Sequence, residues 1–573
     1  MSTKPADFVE MKVCAARRGA PSRRYGIELA AVFLMSFLAL FVGMPLDPNI
    51  FDEGIVLTAA MRVAIAGQIP HRDFYYNYGP AQFSIVGGLF KVFGESILVE
   101  RLYDLVLRAL LATVVYAIVS RYCSRLIAVC ASLLTVLWLY ALYHETVGSA
   151  VIPVSLFNLA SIALILPLFQ REVTVRRLLF VGALIGGSTL FRYDTGIALV
   201  GIAVCLVALA TFLRTKTNRL RTIGLTLAPC LLGFAAVVLP VAIFYFALVP
   251  YQAFVRDILV YPTKFYYRAR NLPFPAITWA RMDNLEVYLL MAVIGFSLWG
   301  AAVCYLRARR RSGEGFLSRS DEQTWCGFFA AFGLLALIMY CKGFVRISTS
   351  QLYLAIVASL PILAGLFQRR FMFSRLGRIS VVLLACLSIS SVLGGSFREM
   401  LHTHWADSSL PGTLVASIRR ATPEVRNKWC DAVTPLTGHL CFLPDDDHIQ
   451  TIEFITSHTT PDQRLFVGLP RHDRIFANDN LIYYATQRLP ATKWSQFDPF
   501  LVNSDRIQAQ MVRELEATTP PYVVMDSEYE DVHEPNDSSK SSGVTLLDDY
   551  IRSKYRFLQA FGEMSVWERR PRV

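Results

Sequence analysis

The amino-acid sequence predicts an α-helical polytopic membrane protein with about eleven transmembrane helices and a C-terminal extracytoplasmic α/β domain. Three observations predict this class. The 573 residues are 54% hydrophobic with a mean hydropathy of +0.42, which is too apolar for a soluble chain of this length. Apolar runs of spanning length recur up to residue 397. From residue 398 onward the hydropathy falls, and short helix and strand patterns alternate.

The predicted spans are apolar runs with few charges, because only an internally hydrogen-bonded helix of about 20 residues satisfies its backbone in lipid. Eleven such runs lie at 26–46, 102–120, 126–143, 149–169, 178–193, 196–213, 223–249, 285–306, 325–341, 350–367 and 379–397. Arginines precede the first run, as in a signal peptide, but the run is too long and lacks a small-residue cleavage site. We therefore expect a retained anchor, with 26–397 as the transmembrane domain.

The distribution of Lys and Arg among the short loops predicts the orientation, because cytoplasmic loops retain positive charge. The basic loops alternate, at 121–125, 171–177, 214–221, 307–311 and 369–378. Their side is the cytoplasm, so the N-terminal tail 1–25 is cytoplasmic, and the first outer loop 47–101 and the domain 398–573 are periplasmic. These loops also account for much of the net charge of +12, so no nucleic-acid partner is implied. The predicted location is the inner membrane.

Two cysteines stand apart from the thiols in apolar spans. Cys430 and Cys441 are the only cysteines of the outward polar domain, in the turn-rich stretch CDAVTPLTGHLC. An oxidising compartment permits a disulfide there. We predict that bridge, with two unpaired buried thiols as the alternative.

The polar C-terminal region shows both helix and strand periodicity. Predicted helices cover 450–457 and 504–518, predicted strands cover 464–468 and 522–526, and 526–543 is a loop rich in acids, Ser, Asn and Gly. No Gly-rich phosphate motif follows either strand, so no nucleotide site is predicted.

The first outer loop contains two amphipathic segments of about 13 residues, 54–66 and 80–93, too short to span but suited to the membrane interface. Asp52 and Glu53 precede the first segment, and Asp73, Tyr76 and Tyr78 lie between the two. A carboxylate takes the proton of an attacking hydroxyl, and aromatic faces pack against sugar rings. In the alternative, Asp52 and Glu53 only stabilise the positive end of a helix.

The turn FRYDTG at 191–196 places Arg192 and Asp194 between two spans, where charges are costly unless they face protein, headgroups or water. The guanidinium group of Arg192 can donate bidentate hydrogen bonds to a phosphate. The alternative is a pair between Arg192 and Asp194, or an Arg192 side chain that extends to the interface.

Two further outward segments carry cations. Lys264, Arg268 and Arg270 lie among aromatic residues in VYPTKFYYRAR (260–270). Lys342 and Arg346 lie in the turn CKGFVRIS (341–348). Such residues suit an anionic lipid headgroup, although aromatic and basic residues occur at any membrane interface. One site forms only if the helix bundle brings these turns together.

Several motifs carry a resemblance to a known superfamily. FDEG (51–54), AGQIPHRDF (66–74), NYGPAQF (77–83) and a closing FG resemble the first outer loop of GT-C glycosyltransferases. The branch with rhizobial lipopolysaccharide-core galacturonosyltransferases is most similar, and protein O-mannosyltransferases and lipid A aminoarabinose transferases are more distant. The resemblance covers the spans, the first loop and, more weakly, NDNLIYYATQRLP (478–490) and EPNDSS (534–539).

The resemblance implies transfer of a hexose or pentose from a polyprenyl-phosphate donor to an envelope glycan or glycolipid, such as lipopolysaccharide. It implies that Asp52, with Glu53 beside it, is the base or the acceptor-positioning group. We hypothesise that Asp52 is the base, with Glu53 or Asp73 orienting the acceptor or holding a divalent cation. Arg192 and the other outward cations then stabilise the phosphate, and a single displacement inverts the anomeric centre. The alternatives are a transporter or flippase, a polysaccharide polymerase or ligase, and a non-catalytic assembly protein. The sugar, the acceptor and the metal requirement stay open.

Overall fold

The computed structural model describes residues 23–42, 44, 48–215, 217–278, 284–310, 316–348, 350–370, 374–399 and 445–571. The predicted disulfide between Cys430 and Cys441 lies outside these residues.

A helix occupies each of the eleven predicted spans. These helices are α1 (Arg23–Val42), α4 (Ile97–Tyr122), α5 (Arg125–Ala141), α7 (Val151–Ile165, continued by a 3₁₀ turn at Leu166–Phe169), α8 (Val175–Phe191), α9 (Tyr193–Arg214), α10 (Arg219–Leu248), α13 (Leu285–Arg310), α14 (Phe316–Gly343), α15 (Tyr353–Gln368) and α16 (Arg375–Glu399). Seven of the described helices are long and apolar enough to cross a membrane. The chain is a multi-pass membrane protein, as predicted.

Shorter helices lie between the spans and in the outward segments. They are α2 (Asp52–Ala64), α3 (Ala81–Phe93), α6 (Tyr143–Thr146), α11 (Tyr251–Val255), a π-helical segment (Arg256–Phe265), α12 (Tyr266–Arg270), and 3₁₀ turns at Phe344–Arg346 and Ser350–Leu352. The two amphipathic segments of the first loop are therefore helical, as predicted. Helix α2 differs in its surroundings, because residues Glu53 to Arg62 are all buried where an interfacial helix would keep one face exposed.

The C-terminal region is an α/β domain. It contains α17 (Asp446–His458), β1 (Phe466–Gly468), α18 (Leu481–Thr486), α19 (Asp505–Thr518), β2 (Tyr522–Asp526), a 3₁₀ turn (Asp537–Ser539), α20 (Leu546–Lys554), β3 (Tyr555–Phe561) and β4 (Met564–Arg569). The sheet order is β1-β2-β4-β3, with β1 parallel to β2 and the other neighbours antiparallel. The four predicted elements are present, and α18, α20, β3 and β4 are additional.

The C-terminal domain packs directly on the first outer loop. The Asn480 backbone N–H donates to Ile50 O at 3.2 Å, and Thr58 Oγ1 donates to Asn480 O at 2.8 Å. Gly54 permits this approach, because a Cβ there would lie 2.7 Å from Leu481 N. The motif NDNLIYYATQRLP thus begins at the junction that covers α2.

Candidate functional site

Two adjoining cavities lie where the first loop, the turns between spans and the C-terminal domain meet. The acidic cavity, of about 240 Å³, contains both Asp52 and Asp498. The cationic cavity, of about 320 Å³, contains Asp194 and Lys342 and has the more apolar wall. They share eight lining residues: Asn77, Tyr78, Val151, Arg192, Tyr266, Arg346, Gln351 and Tyr353. A ligand could therefore extend from one cavity into the other.

Asp52 projects into the acidic cavity from the first turn of α2. Asn49 Oδ1 accepts the backbone N–H of Asp52 at 2.8 Å and that of Phe51 at 3.1 Å, which fixes the helix start. Burial raises the pKa of Asp52 to about 6, against the opposing effect of Arg270 and, next, Arg192. A carboxylate with this pKa is mostly ionised at neutral pH and is a stronger base than an ordinary aspartate.

Glu53 faces away from both cavities, so the structure does not bring the two acidic neighbours together. Its carboxylate is fully buried and forms a two-pronged pair with Arg101, at 2.6 Å to Nε and 2.8 Å to Nη2. The Asn49 backbone N–H also donates to it at 2.8 Å. These contacts place Glu53 in the support of α2 rather than among the groups that face a substrate.

Asp73 also lies outside both cavities. It pairs with the exposed Arg72 at 2.8 Å and accepts the Ile69 backbone N–H at 2.7 Å. The contact with Arg72 lowers the pKa of Asp73. Asp73 therefore stabilises its own turn, in contrast to the acceptor-orienting or metal-binding role expected for it.

The second carboxylate of the acidic cavity is Asp498 from the C-terminal domain, which the sequence did not indicate. Its Oδ2 accepts from Tyr75 Oη at 2.9 Å, Gln496 Nε2 at 3.2 Å and Asn77 Nδ2 at 3.3 Å. Burial raises the pKa of Asp498. Because Tyr75 and Asn77 belong to the first loop, Asp498 also ties the two parts of the chain together.

Arg270 is the cation that faces both carboxylates. It lines the acidic cavity, is 8% exposed, and donates from Nη2 to Phe476 O at 2.9 Å. Its charge lowers the pKa of Asp52 and of Asp498 against their burial. Of the three basic residues in the aromatic segment 260–270, it is the one that lines this cavity.

Lys264 and Arg268, the other basic residues of that segment, are exposed and line neither cavity. The side chain of Arg268 is 63% exposed and pairs with Asp537 at 3.1 Å. The helical turn of α12 explains the difference between Arg268 and Arg270, because residues two positions apart in a helix point in different directions.

Tyr76 and Tyr78 line the acidic cavity together, with ring centroids 6.1 Å apart. Burial raises the pKa of both hydroxyls. The Tyr78 ring also lies 4.8 Å from the guanidinium carbon of Arg192, in cation–π contact. The pair offers neutral hydroxyls and apolar ring faces, which suit a sugar.

Arg192, Asp194 and Lys342 form a charged cluster in the cationic cavity. Asp194 lies 3.5 Å from Arg192 Nε and 2.6 Å from Lys342 Nζ. The ion pair expected as the alternative for Arg192 is therefore present. It coexists with exposure to ligand, because Arg192 lines both cavities.

Arg346 also lines both cavities and is paired with the C-terminal domain. Its two terminal nitrogens contact the carboxylate of Glu534 at 2.5 Å and 3.1 Å. Glu534 begins the motif EPNDSS. The turns at 191–196 and 341–348 thus meet in one site, and the C-terminal domain contributes to it.

Gly148 closes one wall of the acidic cavity where α7 approaches α2. Its φ is +69°, and a Cβ there would lie 2.8 Å from Glu53 Cα. Its carbonyl accepts Gln82 Nε2 at 3.1 Å. Glycine is required here by both backbone conformation and space.

The contacts of Glu53 and Asp73 do not support metal binding, because each carboxylate forms an ion pair with an arginine. Within the described ranges, no group of three or more His, Cys, Asp and Glu side chains is arranged to hold a metal ion.

The fold is of the GT-C type. The chain is similar to ArnT from Cupriavidus metallidurans bound to undecaprenyl phosphate, with a TM-score of 0.50 and 14% identity over 95% of this chain and 98% of that one. The apo state of ArnT gives the same TM-score over 95% and 97%. The archaeal oligosaccharyltransferase AglB from Archaeoglobus fulgidus, in complex with an inhibitory peptide and a dolichol-phosphate, gives 0.48 at 14% identity, covering 89% of this chain and 70% of that chain.

No protein-family model matches the sequence, and no curated protein matches it. The GT-C resemblance seen in the first-loop motifs is confirmed at the level of the fold, and the rhizobial branch stays a prediction.

Proposed function

We propose that this protein transfers a sugar from a polyprenyl-phosphate donor to an envelope glycan or glycolipid, on the outer face of the cytoplasmic membrane. The observation that carries the proposal is the pair of adjoining cavities. One contains a half-buried carboxylate with a raised pKa, the other contains a cluster of cations beside an apolar wall, and Arg192 and Arg346 line both. The ArnT structure with undecaprenyl phosphate, which has a similar fold, supports a lipid phosphate as the donor group.

The cationic cavity suits the phosphate and the first prenyl units of the donor. Arg192, Lys342 and Arg346 supply the positive charge, and Ile258, Leu259, Met339 and Leu354 supply apolar wall. The leaving group is already a phosphate anion, so it needs neutralisation by cations more than protonation. Arg192 offers the two-pronged geometry that phosphate oxygens accept.

The acidic cavity suits the acceptor hydroxyl and the transferred sugar. Asp52 takes the proton as the hydroxyl oxygen attacks the anomeric carbon, and the bond between that carbon and the phosphate oxygen breaks with its electron pair leaving on the phosphate. The products are the glycosylated acceptor and the polyprenyl phosphate, and the displacement inverts the anomeric centre. Tyr76 and Tyr78 pack against the sugar, and Arg270 keeps Asp52 mostly ionised at neutral pH.

Substitution of the proposed base tests the function. Asp52→Asn should lower the rate of transfer by about 10²- to 10⁴-fold, the usual contribution of a positioned general base. The assay follows label from a panel of undecaprenyl-phosphate sugars into lipid-extractable and envelope material, with full-length protein in membranes. Asp505→Asn, an exposed aspartate of α19 that lines neither cavity, is the matched control.

Wild-type rates for Asp52→Asn would show that Asp52 is not the base. If the wild-type protein consumes none of the labelled lipids, the proposed glycosyltransferase activity is refuted. A role in transport or assembly would then be the better explanation.

A further inference from the structure

Glu534 places a negative charge of the C-terminal domain at the cationic cavity. Its carboxylate contacts Arg346 at 2.5 Å and 3.1 Å, and its side chain is 10% exposed. Asn536 Nδ2 donates to Glu534 Oε2 at 3.0 Å, and Ser539 Oγ donates to Glu534 O at 2.6 Å. The carboxylate is therefore held in position by its own loop.

The same loop has a second contact with the membrane domain. Asp537 pairs with Arg268 at 3.1 Å and with Lys540 at 2.7 Å. Asp537 lines neither cavity, and the Arg268 side chain is 63% exposed. The loop thus carries one ion pair at the site and one away from it. Substitutions in the two ion pairs can therefore distinguish an effect of charge at the site from the attachment of the loop to the membrane domain.

The charges around the cationic cavity nearly cancel. Three cations, Arg192, Lys342 and Arg346, face two anions, Asp194 and Glu534, within direct pairing distance. With all five side chains ionised, the cluster carries one net positive charge. A sugar phosphodiester carries one negative charge and matches that remainder, whereas a diphosphate-linked sugar carries two.

We propose, on the basis of the proposed function, that Glu534 determines donor specificity by setting this charge. It engages both terminal nitrogens of Arg346, so that a second donor phosphate placed at Arg346 would find this guanidinium already paired and would lie beside a carboxylate. Like charges close together in a poorly solvated site are strongly unfavourable. Selectivity for a monophosphate over a diphosphate therefore comes from an opposing charge and not only from attraction.

Direct binding to two synthetic lipids tests the proposal. The probes are farnesyl-phosphoglucose and farnesyl-diphosphoglucose, which differ by one phosphate, and their affinities are measured by titration calorimetry on full-length protein in detergent. Wild-type protein should bind the monophosphate at least about tenfold more tightly, a ratio equal to about 1.4 kcal/mol. Glu534→Gln should reduce that ratio at least about tenfold, mainly by tighter binding of the diphosphate.

Two further variants control for folding and loop position. Glu534→Asp keeps the charge and should keep the preference. Asp537→Asn breaks the remote ion pair of the same loop and should leave the ratio unchanged. Each variant is first compared with wild type by thermal unfolding.

Three results would overturn the proposal: equal binding of both lipids by wild type, an equal gain for both lipids in Glu534→Gln, or the same shift in Asp537→Asn. If the monophosphate binds and its sugar is transferred while Glu534→Gln leaves the ratio unchanged, only the role of Glu534 fails. If neither lipid binds and no lipid-linked sugar is consumed, the proposed function fails with it.

Discussion

Lowering the pH from 7 to 5 should protonate Asp52 and suppress transfer. With a pKa of about 6, the carboxylate is ionised to about 91% at pH 7 and to about 9% at pH 5, so kcat/KM should fall by roughly tenfold. An aspartate with the ordinary pKa of 3.8 would stay more than about 90% ionised at pH 5 and would give almost no change. The size of the decrease in kcat/KM therefore indicates whether burial has raised the pKa of the base.

Arg270→Gln should move this acid limb to higher pH. Arg270 is the first of the three arginines whose charge lowers the pKa of Asp52. Without it the carboxylate should hold its proton up to a higher pH, by about one pH unit for loss of a close opposite charge. The direction of the shift is the diagnostic result, because disruption of the site alone would lower the rate equally at every pH.

The measurement is kcat/KM between pH 4.5 and 8 at constant ionic strength, with reconstituted protein and labelled undecaprenyl-phosphate sugar. A sample held at pH 5 and returned to pH 7 must recover full activity, which separates titration from unfolding. A profile that stays flat to pH 5, or a limb that moves to lower pH in Arg270→Gln, would refute the assignment of Asp52 as the titrating base.

Two substitutions test the support of the site. Glu53→Gln should destabilise the protein by about 1–3 kcal/mol, because it removes the bidentate partner of the buried Arg101 and leaves Glu100, at 4.0 Å, as the neighbouring carboxylate. An unchanged melting temperature with lost transfer would instead support a chemical role for Glu53. Gly148→Ala should cost about 1–3 kcal/mol through its φ of +69° and should lower transfer by displacing α2, and an unchanged rate and melting temperature would contradict the close packing of α7 on α2.

The membrane-spanning part of the fold could be predicted because lipid leaves the backbone few choices. Every apolar run of spanning length is a helix in the structure, since an unpaired backbone group in hydrocarbon is too costly. The surroundings of α2 could not be predicted in the same way. Its amphipathic pattern fits an interface, but the cover that buries it comes from α18, more than 400 residues later.

The candidate site was predicted in part. The acid after the first span and the cations of two turns were visible as charges where charges are rare. Asp498, by contrast, lies 423 residues from Tyr75, its hydrogen-bond partner, and no local pattern links them. Glu534 began a motif that resembled the superfamily, yet its pairing with Arg346 depends on tertiary packing alone.

The β3–β4 hairpin was missed although its signal is local. The segment from Tyr555 to Arg569 is rich in aromatic and other apolar residues on both sides of Gly562, which has φ of +52°, and two such runs around a glycine are typical of a hairpin. The hairpin completes the sheet and lines neither cavity, so the omission did not affect the functional hypothesis.

The dependence of the acidic cavity on Asp498 has a consequence for biosynthesis. Residue 498 follows all the spans in the sequence, so this wall forms only after the C-terminal domain has folded and docked on Tyr75 and Asn77. A chain truncated before Asp498 lacks the wall, which should expose Asp52 to more water and bring its pKa closer to that of an ordinary aspartate. Under the proposed function, such truncated chains should be inactive.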